Sequence, residues 1–131
     1  MEEKRPPIKS FTDLKVYQLL IKATKLVILE IVPRLPKEER FDLGDQMRRA
    51  CKAAPAILAE GYAKKYLVKS WKKYLHDSLG ECNEMIVHLT ITKEVYGDRY
   101  MPKQLETAID YYDQSTKMLY TLAKNWQSFK D

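Results

Sequence analysis

Apolar residues return at steps of three and four along almost the whole 131-residue chain, and no stretch keeps the strict alternation of a half-buried strand. The pattern predicts an all-α protein. A first helix opens at Ser10, where Ser10 and Asp13 have capping-box spacing with Asp in place of the usual Glu, and Pro33 and Pro36 end it. Its inward stripe reads as Leu14, Tyr17, Ile21, Thr24, Ile28 and Ile31. A second helix covers about 41–63, with Leu43, Met47, Ala50, Cys51, Ala54, Ile57, Leu58 and Gly61 on its inner side. Pro55 lies inside it, removing one backbone donor and crowding the carbonyl of Cys51, so a kink or bulge that splays its two halves is expected.

The third helix, about 67–96, has the most regular register. Trp71, Leu75, Ser78, Cys82, Met85, Leu89, Thr92 and Tyr96 alternate steps of four and three, a seam that requires a neighbouring helix. Gly97 is placed to cap it. Pro102 opens a fourth helix, which runs to about Trp126 on Leu105, Ala108, Tyr112, Ser115, Leu119 and Leu122. Four amphipathic segments joined by short turns predict an antiparallel up-down-up-down four-helix bundle over residues 10–131, preceded by a flexible segment at 1–9.

Charge changes the picture at one place. The segment from Arg48 to Lys73 carries Arg48, Arg49, Lys52, Lys64, Lys65, Lys69, Lys72 and Lys73 against Glu60 alone, a local charge of +7 in a chain whose net charge is +5. Tyr62, Tyr66 and Trp71 are interleaved with these cations. Clustered Lys and Arg gain sequence-independent affinity for phosphates by releasing condensed counterions, so the segment reads as a nucleic-acid-binding surface, against the alternative of a merely solvated lysine face. At about 100° per residue, Lys65, Lys69, Lys72 and Lys73 project from the side of the third helix opposite Trp71, Leu75 and Ser78. Tyr62 and Tyr66, in the turn between the two basic helices, are placed either to stack on an unpaired base or to cap the bundle end.

On the second helix, Ala56, Ala59 and Ala63 share a side with Arg49, Lys52 and Glu60, away from the buried seam. Small residues on an outer face let another backbone approach closely, so Ala56, Ala59, Glu60 and Ala63 read as an oligomer interface; the alternative is helix propensity alone.

Catalytic and metal chemistry is not expected. His76, Asp77 and Ser78 are consecutive, so on a helix they diverge and cannot form a triad. His88 has Glu84 four residues before it, a pair that reads as a surface contact rather than a metal site. The acids Asp110, Asp113, Glu38 and Glu39 show no flanking apolar pocket that would raise a pKa, and no glycine-rich phosphate loop or nucleophile elbow is present. Cys51 and Cys82 sit in apolar patterns and read as small reduced hydrophobes. Apolar runs such as Leu26–Leu29 are too short to span a bilayer, and Met1–Lys9 lacks the apolar stretch of a signal peptide, which predicts a cytoplasmic protein that needs no cofactor or metal.

Gln46-Met47-Arg48-Arg49-Ala50, followed by Pro55-Ala56-Ile57-Leu58-Ala59-Glu60-Gly61, resembles the four-helix-bundle proteins encoded in intervening sequences of bacterial 23S rRNA genes. The likeness extends to Phe11–Leu14, to Phe41–Leu43 and to Leu75, Gly80 and Glu84, and Gln46, Arg49, Pro55, Glu60 and Gly61 match the motif. A relative in that fold is the accessory variability determinant of diversity-generating retroelements. The resemblance implies a homopentameric ring or barrel, a basic surface suited to RNA or DNA and, for the retroelement branch, association with a reverse transcriptase. Two positions depart from the family pattern: Ile57 stands where an asparagine is usual, and Glu81 where a serine often follows the glycine. Residues and resemblance together lead to the expectation of a non-catalytic, oligomeric nucleic-acid-binding accessory protein. The competing class is an oligomeric protein scaffold in which the lysines only maintain solubility.

Overall fold

The computed structural model describes residues 8–126, which form α1 (Lys15–Leu26), α2 (Leu43–Tyr62), α3 (Val68–Tyr96) and α4 (Pro102–Asn125), with no strand among the described residues. The expected flexible segment lies outside them, save for Ile8 and Lys9. α2 packs along α3 and α3 along α4, while α1 closes the bundle against α2 and α4. Tight turns at 63–67 and 97–101 fold each helix back along its predecessor, which makes the bundle up-down-up-down. Gly97 ends α3 at φ +59°, a backbone conformation that a residue without Cβ adopts at little cost.

Ser10 and Asp13 do form the capping box, yet it closes a single 3-10 turn, Phe11–Asp13, and α1 begins only after the extended residue Leu14. The buried stripe of α1 is Val16, Leu20, Ala23, Val27 and Ile31, one residue earlier than the Tyr17, Ile21, Thr24, Ile28 register; those four are half-buried at its flank. Each buried residue has an apolar or small neighbour one position on, so sequence periodicity cannot separate the two registers. A π turn at Val27–Ile31 takes up an extra residue, and Val27 and Ile31 at its two ends are both buried. The turn directly precedes Pro33, which has no N–H to offer a regular helix and sits instead in a closing 3-10 turn, Val32–Arg34.

α2 runs unbroken through Pro55, where a kink or bulge is expected. The carbonyl of Cys51, deprived of its helical donor, meets the Thr24 hydroxyl of α1 at 2.8 Å, and that hydroxyl lies equally far from the Leu20 carbonyl, so its one proton serves both. From the other side the Ser78 hydroxyl of α3 donates to the Ala54 carbonyl at 2.8 Å. Two neighbouring helices thus supply polar partners around the proline, and the helix continues past it to Tyr62.

The seam predicted for α3 is buried from Trp71 to Thr92, and Trp71 and Tyr112 are the largest side chains fully enclosed in the core. Burying each large apolar side chain contributes roughly 1.5–3 kcal/mol. Cys51 and Cys82 are free thiols in this interior, and burial pushes them up to about 11 and about 12 respectively, which leaves them protonated and unreactive at neutral pH.

At Gly61 the α2 backbone lies directly against side chains of α3. A Cβ added there would lie 2.3 Å from Tyr74 Cβ and 3.1 Å from the Trp71 ring, whereas a Cβ on Gly80, on the exposed side of α3, would meet nothing within 4 Å. Gly61→Ala is therefore expected to destabilise the fold by about 1–3 kcal/mol and Gly80→Ala to stabilise it by about 0.5–1 kcal/mol, both read from urea unfolding midpoints.

Candidate nucleic-acid interface

The turn after α2 is built on aromatic rings. Tyr62, the last residue of α2, packs edge-on against Trp71 at 5.9 Å between centroids, and Trp126 covers Trp71 from the end of α4 at 5.5 Å. The Trp126 indole N–H donates to the Lys65 carbonyl at 3.2 Å, so the end of α4 holds the turn in place. Lys65 Nζ lies over the rings of Tyr62 and Tyr66, at 4.2 and 4.8 Å, and Lys64 Nζ lies over Tyr74 at 5.0 Å and donates to its hydroxyl at 3.0 Å. Cations held over ring faces keep their charge outward with side-chain freedom already reduced.

The eight basic residues do not form one ridge. Lys64 and Lys65 belong to the turn rather than to α3, and they stand with Lys69, Lys72 and Lys73 at one end of the bundle. Arg48, Arg49 and Lys52 lie roughly 20 Å away down α2, at a rise of about 1.5 Å per residue. This second group is largely neutralised. Arg49 reaches across to Glu81 at 3.3 Å and to Glu84 of α3, and Arg48 pairs with Asp45 at 2.8 Å. At the turn end, Lys73 pairs with Asp77 at 2.8 Å, whereas Lys69 and Lys72 meet no carboxylate among the described residues, and neither does Lys52 on α2. Tyr62 is buried and serves the bundle end, while Tyr66 is 64% exposed beside Lys65.

Glu84 sits at the centre of a small network. It accepts from Arg49 and faces His88 Nε2 at 3.2 Å, and Glu81 adds a second carboxylate to the same guanidinium. Burial by itself pushes Glu84 up, but hydrogen bonds from Arg49 and His88, and the Arg49 charge, outweigh it and hold the carboxyl below its ordinary value. The described residues contain no group of three or more metal-capable side chains. His76 and Asp77 point to solvent while Ser78 is buried, as their consecutive positions on a helix require.

Of the outer face of α2, Ala56, Glu60 and Ala63 are exposed and Ala59 is half-buried. Gln46 is exposed at the start of that face, while Pro55 and Gly61 are buried at the α1 and α3 contacts. Sequence reasoning did not find a second exposed surface: Val87, Ile91 and Val95 form an apolar stripe along the outer side of α3, and Phe41 is 80% exposed at the same end of the bundle, where Tyr96 donates to Glu39. Their spacing of four was visible in the chain but was overshadowed by the stronger inner seam.

A carboxylate whose folded pKa is depressed contributes stability above its unfolded pKa, and that contribution is lost as pH falls from there through the lower folded value. Glu84→Gln is thus expected to be less stable than the parent at pH 7 and to lose less stability on acidification below pH 4.5, the ordinary glutamate value. Thermal midpoints measured across that window for both proteins check it.

A comparison with curated protein sequences gives no match. The family model of the 23S rRNA-intervening sequence protein matches residues 12–121, from the first 3-10 turn to near the end of α4, and so takes in α1, α2, α3 and most of α4. With that span covered, the chain belongs to the 23S rRNA-intervening sequence protein family.

Proposed function

We propose that this protein binds nucleic acid through the phosphate backbone, without catalysis, and does so as an oligomer. The observation that carries the reading is the α2–α3 turn, where Lys69 and Lys72 have no carboxylate within ion-pair distance among the described residues and Lys64 and Lys65 are braced on tyrosine rings next to exposed Tyr66. A desolvatable aromatic beside uncompensated cations suits single-stranded or structured RNA or DNA without base-specific readout. The alanine face of α2 and the Val87, Ile91, Val95 stripe of α3 supply contact surfaces for further copies, and a ring such as the family's pentamer would repeat the basic turn and raise avidity through effective concentration. Assistance to a reverse transcriptase is part of the same reading, since such an enzyme works on strands of this kind. Among the described residues no helix is long and apolar enough to cross a membrane.

The second reading, a protein scaffold with no nucleic-acid role, is favoured by the exposed apolar stripe and by the ion pairing of Arg48 and Arg49. Anisotropy with labelled RNA and DNA at rising salt separates the two. The expected result is affinity that falls steeply with salt, with a slope reduced by about 2 in the Lys65→Glu/Lys69→Glu/Lys72→Glu variant, at about 0.7 per single-strand phosphate contact. Absent or salt-independent binding supports the scaffold.

Oligomerisation is tested on its own by the mass in solution, expected to be a multiple of 15.4 kDa. Ala59→Glu, which places a charge in the α2 face, is expected to shift that mass toward the monomer while the helical content stays unchanged.

A further inference from the structure

A separate groove runs between α1 and α4, with a volume of about 440 Å³, within the range of sites that enclose small ligands. Lys22 and Lys25 line it from α1 and Lys103 from α4, against the single acid Glu30. None of the three lysines takes part in an ion pair among the described residues. Lys22 Nζ lies 5.4 Å above the Tyr111 ring. Oriented to satisfy its amide, Gln104 of the lining donates to the Met101 carbonyl at 3.3 Å and accepts from the Arg34 guanidinium at 2.9 Å. The floor and edge include Leu26 and Leu29, and Leu29 is 70% exposed on the π turn. Such turns insert a residue into a helix and recur at binding sites, and this one sets Leu29 and Glu30 along the groove edge.

Three lysines, an aromatic ring and an exposed leucine lining one groove match the chemistry of a nucleotide: an anionic phosphate attached to a flat apolar base. We propose that this α1–α4 groove is a nucleotide-phosphate site, seating the phosphate among Lys22, Lys25 and Lys103 and the base along Leu29 and Tyr111. It lies toward the opposite end of the bundle from the α2–α3 turn, because Lys103 opens the helix that follows the far end of α3. The inference rests on the nucleic-acid reading to this extent: a strand bound at the turn would find its second anchor here. The same phosphate chemistry is offered by a free mononucleotide.

The test is a titration of the isotope-labelled full chain, followed by backbone amide shifts, with oligouridylate of about 16 nucleotides and separately with uridine monophosphate. Shifts at Leu29, Thr107 and Tyr111 are expected, and Lys22→Gln/Lys25→Gln/Lys103→Gln should abolish them with no loss of helical content, since all three side chains are exposed. Lys69→Gln/Lys72→Gln should leave them in place. For the oligomer, the triple variant should also lower the salt slope by about 2. Shifts with both ligands place the site on a strand, and shifts with the monophosphate alone assign it to free nucleotides. Groove amides that stay still in both titrations overturn the inference even if the oligomer moves the Tyr66 and Leu67 amides at the turn. An oligomer that binds nowhere overturns the proposed function instead, and the monophosphate titration then still decides the groove.

Discussion

The approach of α2 to α3 at Gly61 is the constraint on which the rest of the molecule depends. With no Cβ at that position the Tyr74 and Trp71 side chains lie directly on the α2 backbone, and the helices stay in contact from there down past Ala54 and Ser78. Trp71, fully enclosed by this approach, then offers a surface for Tyr62 and Trp126, and through Trp126 the last turn of α4 is tied to the Lys65 carbonyl. The basic turn is therefore the rigid end of a packed aromatic stack rather than a loose loop. Lysines on a preorganised turn lose less conformational freedom on binding a phosphate than lysines on a mobile one.

The same hairpin register decides which cations are available. In an antiparallel pair, residues equidistant from the turn face each other, and Arg49 and Glu81 lie sixteen positions on either side of Lys65. Their ion pair follows from that placement, and Glu84, one turn further along α3, joins it. Close to the turn no carboxylate among the described residues comes within ion-pair distance of Lys69 or Lys72, so charge that looks continuous in the chain is divided by folding into a largely clamped group and a more open one. Exposed ion pairs are individually weak and screened by salt, but a guanidinium held by two carboxylates has little reason to exchange them for a phosphate.

Most of the architecture was legible in the chain because three of the four helices carry one apolar stripe bounded by unambiguous punctuation. The α3 seam, the Gly97 cap and the Pro102 start all stand where periodicity and capping chemistry place them. α1 was legible as a helix but not in its register, because its apolar stripe is two residues wide and its last turn is π. The continuation of α2 past Pro55 was not legible in the chain, since the hydroxyls that meet the carbonyls beside it come from Thr24 and Ser78, two residues whose contacts become visible only once three helices are assembled. Of the candidate site, the aromatic–basic composition was legible, while the pairing of Arg48 and Arg49 required the register between helices.

What distinguishes a binding surface from a solvated one in a chain of this charge is the placement of its acids more than the number of its bases. Outside the 48–73 segment the remaining residues sum to −2, yet those acids are not spread evenly. Glu81 and Glu84 lie against Arg49, Asp77 against Lys73 and Asp113 against Lys117, each within 4 Å. The α1–α4 groove has Glu30 alone lining it with its three lysines, and at the α2–α3 turn no carboxylate among the described residues lies within 4 Å of Lys69 or Lys72. Two regions at opposite ends of one bundle thus hold lysines without an ion pair among the described residues next to an exposed apolar or aromatic side chain, Leu29 in one and Tyr66 in the other. An exposed apolar or aromatic side chain beside lysines is a surface on which a phosphate carrying a base would satisfy both groups at once, and that shared chemistry is what the two proposals rest on.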